Sequence, residues 1–481
     1  MKTILQKISV LLLCAILICS ALPSRAVAGY QIPGACQVQT ESGAAAVKTL
    51  DCDYDNNTYL SLRDTAMALN GTEKSFSLDV ASNAVSLNLG EAYAPLGGEN
   101  APWGEEELPD ASLRRNEFTL NGEKVFYYTI IMMLPAGYYD CFMMAADLAM
   151  ILDADVTVPG AGVLQIDTRE PFQVSPEALE QAGYFYGVNS VLAGDATTGE
   201  IYYQYQADAP YPIASTSKLM TCLMAMEAIS AGQLAPEQSV TISQAAQMLA
   251  ESSDGVIPLK AGEQITVQEL LTGALLPSSN ECALCLAEAI AGSEENFVGM
   301  MNQRALELGL VQAVFYNSHG LPSYTEDPVP AKRQNRMSAQ DMFRLVSYML
   351  KVYPQITDIT SQRTAVLESL GLEVRNSNPL LRNIPQVTGL KTGTTNKAGA
   401  CLVTSLAADD GTEEHDLVVV VLGAEDSIER GRVSGLLAKY ALQAFRTGTG
   451  GQGAAPEETP GSLPVHAEAA VDRILRTAGR R

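Results

Sequence analysis

Three short polar runs carry the chemistry that this sequence offers: Ser215-Thr-Ser-Lys218, Ser278-Ser-Asn280 and Lys391-Thr-Gly393. A serine oxygen is a poor nucleophile until a neighbouring base takes its proton. In the first turn of a helix, residues i and i+3 project to the same side. The Lys218 amine can therefore reach the Ser215 hydroxyl, and the helix N-terminus favours negative charge developing on that oxygen. Ser215 stands just after Pro212 and opens an apolar run, as a helix start should. A Ser–Lys pair needs no histidine, and the chain has only His319, His415 and His466. That scarcity leaves few candidates for Ser-His-Asp catalysis and all but excludes a histidine-rich metal centre.

Each run alone has a plainer use. About one S-x-x-K is expected by chance in a chain this long, read as an N-cap serine with an exposed lysine. Ser278 and Asn280 lie between Leu275-Leu-Pro277 and a helical run from Glu281, where polar residues serve as caps. Lys391-Thr-Gly393 follows Val387-Thr-Gly-Leu390 and reads equally as a strand ending in a turn. Coincidence is a poor account of all three in this order, at separations of 63 (278 − 215) and 113 (391 − 278). S-x-x-K, S-x-N and K-T-G together mark serine β-lactamases and penicillin-binding proteins.

The surrounding residues narrow the resemblance. Ala214-Ser-Thr-Ser-Lys-Leu-Met-Thr221, Gly262-Glu-Gln-Ile-Thr-Val-Gln-Glu-Leu-Leu271, Phe315-Tyr-Asn-Ser-His-Gly-Leu321 and Gly389-Leu-Lys-Thr-Gly-Thr394 resemble segments of serine-type D-alanyl-D-alanine carboxypeptidases. The resemblance covers roughly 185–447. Ser279-Asn-Glu281 departs from the family's usual Gly-Asn-Asp. It implies a β-lactamase/transpeptidase-like α/β (α+β sandwich) domain that removes the terminal D-alanine of peptidoglycan stem pentapeptides through an acyl-enzyme. β-Lactams would be its inhibitors and no cofactor or metal is implied. Ser215 would be the nucleophile and Lys218 its general base, kept neutral by exclusion of water and by the cation Lys391. Ser278 would relay a proton to the leaving D-Ala, and Asn280 would hold the substrate amide. Lys391 and Thr392 would bind the terminal carboxylate, and Gly393 would let the substrate backbone lie against the strand. Backbone N–H groups of Ser215 and Thr394 would form the oxyanion hole. Asn317 and His319 would order a loop. Two alternatives remain. A class A-like β-lactamase needs a Glu-x-x-x-Asn loop between S-x-N and K-T-G, where this chain has Asn317-Ser-His-Gly320. A non-catalytic peptidoglycan-binding protein would be expected to lack Ser215 or Lys218.

The elements that must position these groups follow from periodicity. Apolar residues recur at helical spacing over Lys218–Ile229, Thr266–Leu276, Glu281–Ile290, Glu294–Leu308, Ala339–Val352 and Arg430–Phe445. Ser190–Asp195 and Glu200–Gln206 form a hairpin. Strands return at Cys401–Ala407 and Leu417–Ala424. Strands, then helices, then strands predict one sheet whose edges come from both ends of the domain. A short helix is expected over Pro176–Tyr184.

Residues 30–172 read as a small α+β module. Asp64-Thr-Ala-Met-Ala-Leu69 is echoed by Asp147-Leu-Ala-Met-Ile-Leu152 at an offset of 83 (147 − 64). Each copy is followed by strand-like residues, Ala84–Leu89 and Val163–Ile166. Tyr59-Leu-Ser-Leu-Arg-Asp64 resembles the signature of copper amine oxidase N-terminal-like domains, a stalk on secreted bacterial enzymes, although no metal-ligand cluster is visible.

The chain's 481 residues suggest two to four domains. A formal net charge of −24 disfavours nucleic acid as a partner. Residues 1–28 read as a signal peptide: Lys2 and Lys7, an apolar run from Ile8 to Leu22, then Ala26-Val-Ala28. The expected organisation is thus 1–28 signal peptide, 30–172 stalk, 173–449 catalytic domain and 450–481 tail, in a secreted, cell-envelope protein. Cys36 and Cys52 are candidates to pair, whereas Cys282 and Cys285 sit in an apolar helical run and read as buried thiols.

In the tail, Ala467, Val471, Ile474, Leu475 and Ala478 share one helical face, with Arg473, Arg476, Arg480 and Arg481 as a basic end. Weak contact with a membrane surface is expected of such a helix. The chain should co-sediment with anionic vesicles at low salt and release at high salt. Deleting 450–481 should abolish the pelleting, and equal pelleting of both forms excludes the tail from membrane contact.

Overall fold

The structure is a computed structural model. It describes residues 31–40, 43–52, 57–103, 114–160, 163–173, 176, 185, 187–252, 254–324 and 332–448. The expected signal peptide, nearly all of the expected Pro176–Tyr184 helix, and the tail lie outside them. The chain divides into two compact units, residues 1–186 and 187–481. No described helix is long and apolar enough to cross a membrane.

In the first unit the echo of Asp64 and Asp147 proves to be the centre of two larger repeats. One runs β1 (Gln31–Thr40), β2 (Gly43–Cys52), β3 (Asn57–Ser61), α1 (Leu62–Ala68), β4 (Phe76–Val80) and β5 (Ala84–Leu89). The other runs β6 (Arg114–Leu120), β7 (Glu123–Met133), β8 (Tyr139–Met144), α2 (Ala145–Leu152), β9 (Asp155–Gly160) and β10 (Val163–Asp167). Their ten strands form one sheet in the order β4-β5-β6-β7-β8-β3-β2-β1-β10-β9. The order is palindromic about the β8–β3 pair, where Leu60 faces Met143. Each repeat hands its last hairpin to the other: β5 lies parallel to β6, and β10 parallel to β1.

The Ser61-Leu-Arg-Asp64 stretch closes this unit from inside. The Ser61 hydroxyl caps α1 by accepting from Asp64 N at 3.0 Å and donates to Asp140 Oδ2 at 2.6 Å. Asp64 takes the Lys48 ammonium at 3.1 Å, and Arg63 Nε donates to Tyr139 O at 2.6 Å. The β1–β2 ladder sets Cys36 opposite Val47 and Cys52 opposite Gln31. The two cysteines are therefore five positions (36 − 31) apart along the ladder. That is roughly 16 Å, beyond disulfide reach, so the suggested pairing fails.

The second unit has the expected mixed α/β build. Five antiparallel strands stand in the order Ile201–Tyr205, Ser190–Asp195, Glu414–Ala424, Gly399–Asp409, Val387–Thr395. The edges do come from the two ends of the domain. Leu417 to Leu422 is buried throughout, because helix Ser427–Thr447 contacts the middle strand and helix Ala339–Val352 also packs on it. Helices Lys218–Ser230, Val267–Leu275, Asn280–Ala291 and Glu294–Glu307 fall within two residues of their expected limits. Gln244–Ala250 and Ile356–Thr360 were too short for periodicity to reveal. Cys282 and Cys285 are buried, as their apolar setting required.

Burial, helped by the nearby Asp64 charge, raises the Asp140 carboxyl to about 6 against the lowering effect of bonds from Ser61, Cys141 and Arg63. A carboxyl that binds its proton more tightly folded than unfolded stabilises the fold most at low pH. That contribution is full below about pH 4 and is lost as pH rises through about 6. Calorimetry should show the first unit's transition falling between pH 5 and 7.5. Asp140→Asn should flatten that dependence, and an unchanged slope excludes Asp140 as its source.

Candidate active site

Ser215 lies in a 3-10 turn, Ala214–Ser217, that leads directly into helix Lys218–Ser230. The sequence placed it in an α-helical turn. The tighter turn brings i and i+3 nearly into eclipse, and Lys218 Nζ lies 2.8 Å from Ser215 Oγ. Ala214 takes a left-handed φ of 46°, unusual for a residue with a Cβ. Its carbonyl accepts from Ser217 Oγ at 2.7 Å, while Ile213 O accepts from Thr216 Oγ1 at 2.6 Å. The turn's neighbouring hydroxyls are thus spent on backbone, leaving Ser215 to face Lys218.

Lys218 is completely buried, and its Nζ meets three oxygens. Besides Ser215 these are Asn280 Oδ1 at 2.8 Å and the His319 carbonyl at 2.8 Å. Amide and carbonyl oxygens only accept, so they require two N–H groups from Nζ. A hydroxyl can accept or donate. The third contact therefore holds whether Nζ is an ammonium donating to Ser215 or an amine accepting from it. Burial pulls the Lys218 pKa down to about 7, and Glu281, Cys222 and Cys282 pull it back upward. Lys391 is also buried and is held well below its ordinary value by burial first and by the Lys218 charge second. Two ammonium groups cannot share this dry space cheaply, so the neutral state of one is favoured.

The S-x-N turn divides its duties. Ser279, where the family usually has glycine, is the cap: its Oγ accepts from Cys282 N at 3.0 Å. Ser278, at a left-handed φ of 71°, is half-buried, and its hydroxyl has no hydrogen-bond partner among the described residues. Asn280 is committed within the protein. Its Oδ1 holds Lys218, and its Nδ2 donates to Asp254 O at 2.8 Å. Oδ1 keeps a second lone pair and Nδ2 a second N–H, so a substrate amide can be met with both bonds intact. Next to it, the buried Glu281 accepts from Val256 N at 3.0 Å and from Ile257 N at a shorter separation.

Lys391, Thr392, Gly393 and Thr394 lie on the edge strand Val387–Thr395. Lys391 Nζ donates to Thr392 O at 2.8 Å. Thr392 Oγ1 pairs with Ser377 Oγ at 2.5 Å. The exposed Thr394 hydroxyl accepts from Arg430 Nη1 at 3.3 Å. Gly393 has an internal reason to be glycine, since an added Cβ would stand 2.8 Å from Ser215 N. Gly320 is similar: at φ 92°, its added Cβ would meet Ala214 O at 2.0 Å. Both glycines let their segments close on the Ser215 turn.

The Asn317–Leu321 loop is ordered by Asn317, as expected. Gly320 N donates to Asn317 Oδ1 at 2.6 Å, and Asn317 Nδ2 donates to Leu321 O at 2.7 Å. His319 Nδ1 accepts from Leu321 N at 3.1 Å, which puts the ring proton on Nε2. Burial and the Lys218 charge lower its pKa to about 3, so the ring is neutral. Nothing in the sequence pointed to the backbone carbonyl of His319 as a partner of Lys218. Ser377 and Arg430 were also missed, because neither belongs to a spaced motif.

Residues 186–426 match the family model described as D-alanyl-D-alanine carboxypeptidase. The D-alanyl-D-alanine carboxypeptidase DacF of Bacillus subtilis is 34% identical over 261 residues, 54% of this chain and 63% of that protein. DacC of Escherichia coli is 30% identical over 258 residues, covering 53% and 61%. The chain thus spans less than two thirds of each relative's length. A penicillin-binding protein from Listeria monocytogenes, solved with ampicillin bound, matches at TM-score 0.46 and 26% identity. That match covers 53% of this chain and 97% of that one.

Lys218 can take the Ser215 proton only as a neutral amine. Acylation of Ser215 by a β-lactam should therefore rise with pH through about 7 and then level. Lys218→Arg, always charged, should lower the rate by a thousandfold or more. Glu281→Gln keeps an acceptor for Val256 N and Ile257 N but removes a negative charge that favours the ammonium. Its rising limb should move to lower pH, as followed by stopped-flow acylation. An unmoved limb would mean that Glu281 has no electrostatic hold on the base.

Proposed function

The chain belongs to the D-alanyl-D-alanine carboxypeptidase family, and from that premise we propose that it is a serine DD-carboxypeptidase acting on peptidoglycan stem peptides. The observation that carries this reading is Lys218 Nζ at 2.8 Å from Ser215 Oγ, with two further acceptors fixing the amine. Ser215 Oγ attacks the carbonyl of the penultimate D-alanine while Lys218 takes its proton. The oxyanion that forms faces the backbone N–H groups of Ser215 and Thr394. Such donors are each typically worth about 10²–10³ in rate. The peptide C–N bond then breaks, and the leaving amine of D-alanine takes a proton through Ser278. Ser278's unspent hydroxyl suits that relay. Water, deprotonated by Lys218, cleaves the ester and restores Ser215.

Thr392 offers its hydroxyl to the substrate's terminal carboxylate, and the cation Lys391 lies beneath it on the same strand. Asn280 acts first as the holder of Lys218. Arg430, buried behind Thr394, adds positive charge to the same end of the cleft. β-Lactams are proposed inhibitors because they present an acyl group and a carboxylate in the same arrangement. Slow release of the penicilloyl ester is favoured over β-lactamase turnover. Among the described residues, no carboxylate hydrogen-bonds Ser215 or Lys218, and the Glu-x-x-x-Asn loop of class A β-lactamases has no counterpart in the Asn317-Ser-His-Gly320 stretch. The first unit is proposed as a stalk, and the location as the cell envelope outside the cytoplasm.

Labelled penicillin should form a long-lived adduct whose peptide mass maps to Ser215. A diacyl-D-Ala-D-Ala peptide should release one D-alanine, as identified by mass. Ser215→Ala should abolish both. An adduct on Ser217 or Ser278 overturns the assignment, and rapid penicillin hydrolysis favours the β-lactamase reading.

A further inference from the structure

Ser377 ties together the two cleft motifs other than the nucleophile's own. It lies between strand Leu372–Arg375 and the 3-10 turn Pro379–Arg382. The asparagines on either side fix its backbone. Asn376 Nδ2 donates to Thr360 O at 2.8 Å, and Asn378 Nδ2 donates to Gly389 O at 2.8 Å. Ser377 itself is exposed. Its N–H donates to Leu276 O at 3.0 Å. Its hydroxyl donates to that same carbonyl at 3.1 Å and lies 2.5 Å from Thr392 Oγ1, where either hydroxyl can be the donor. Leu276 leads into the turn that carries Ser278 and Asn280, and Thr392 is the centre of K-T-G.

Resting on the carboxypeptidase reading, we propose that Ser377 is a positioning residue for the substrate's terminal carboxylate: it donates its proton to Thr392 Oγ1, so that the Thr392 proton is free for the anion. A hydroxyl has one proton to give. If Thr392 gives its proton to Ser377, it has none for a carboxylate. Ser377 can supply the shared proton instead at little cost. The carbonyl it leaves, Leu276 O, keeps the Ser377 N–H. Ser377, Thr392 and the carboxylate then form a chain in which each hydrogen bond polarises the next. The second is charge-assisted and the stronger of the two.

The test uses the full chain, benzylpenicillin and its methyl ester, and a diacyl-D-Ala-D-Ala peptide. Ser377→Ala leaves the Thr392 proton free but no longer oriented or polarised, so acylation by the free acid should slow about fivefold, the size of one neutral hydrogen bond, while the methyl ester rate changes less than about twofold. With the peptide, KM should rise and kcat should hold. Ser377→Thr, which keeps the hydroxyl, should restore both. Equal slowing with acid and ester would mark a merely structural tie and overturn the inference. So would an unchanged acid-to-ester ratio, or failure of threonine to rescue. If the wild-type chain is not acylated at Ser215 at all, the carboxypeptidase reading falls and takes this inference with it. Acylation with an unchanged ratio removes only the inference.

Discussion

A lysine side chain buried with no exposed surface is the constraint around which the second unit is organised. Taking an ammonium out of water costs several kcal/mol unless its hydrogen bonds are replaced. Here the replacements come from segments far apart in sequence: Ser215 on the preceding turn, Asn280 on another helix, and the carbonyl of His319 on a loop. Two of the three are fixed acceptors and one is a hydroxyl. The arrangement holds the amine in place while leaving one proton free to pass between Nζ and Oγ. Geometry and proton balance are thus set by the same three contacts.

Closing these segments around so small a centre leaves no room for extra atoms. The added Cβ at Gly320 or Gly393 would strike the backbone of the Ser215 turn. Ser279 caps its helix so that Ser278 is left without that duty and Asn280 can hold Lys218. Asn280 and Glu281 together grip Asp254, Val256 and Ile257. Glu281 also brings negative charge into a region that contains two buried lysines. That opposes the desolvation of Lys218 and keeps it a stronger base than burial alone would allow, at the expense of a smaller neutral fraction below pH 7.

Much of this was legible in the sequence, and what was not shares one cause. The long helices were marked by apolar periodicity; the caps that start them, Thr266, Ser293 and Ser338, each accept from the third residue beyond. The motif spacing put Ser215, Lys218 and Asn280 in one cleft, with Asn280 expected on the substrate amide rather than on Lys218. Spacing reports which side chains recur, however, not which backbone atoms they meet. The His319 carbonyl has no side-chain signal. Ser377 is one serine in a loop, joined to Thr392 only through the path of residues 376–389. The orientation of the Asn280 amide depends on Asp254, 26 residues earlier (280 − 254), in a loop with no periodicity.

The first unit shows the same limit in its repeats. Helices α1 and α2 begin 83 residues apart (145 − 62), but β5 and β10 begin only 79 apart (163 − 84). Thr49 pairs with Leu60, and Thr129 with Met143, so the matching strands β2 and β7 are offset by 80 (129 − 49). Any comparison at one fixed offset finds only the strand–helix junction and loses the hairpins. In that register Lys48 corresponds to Tyr128, so the Lys48–Asp64 ion pair belongs to one repeat and not the other. What both halves retain is a polar side chain at the start of each helix, Asp64 and Asp147, beneath a sheet whose other requirements are alternation and length. Strands tolerate such shifts because register depends on which face is buried. A buried carboxylate at a helix start tolerates none, and it is the feature that remained visible as an echo in the sequence.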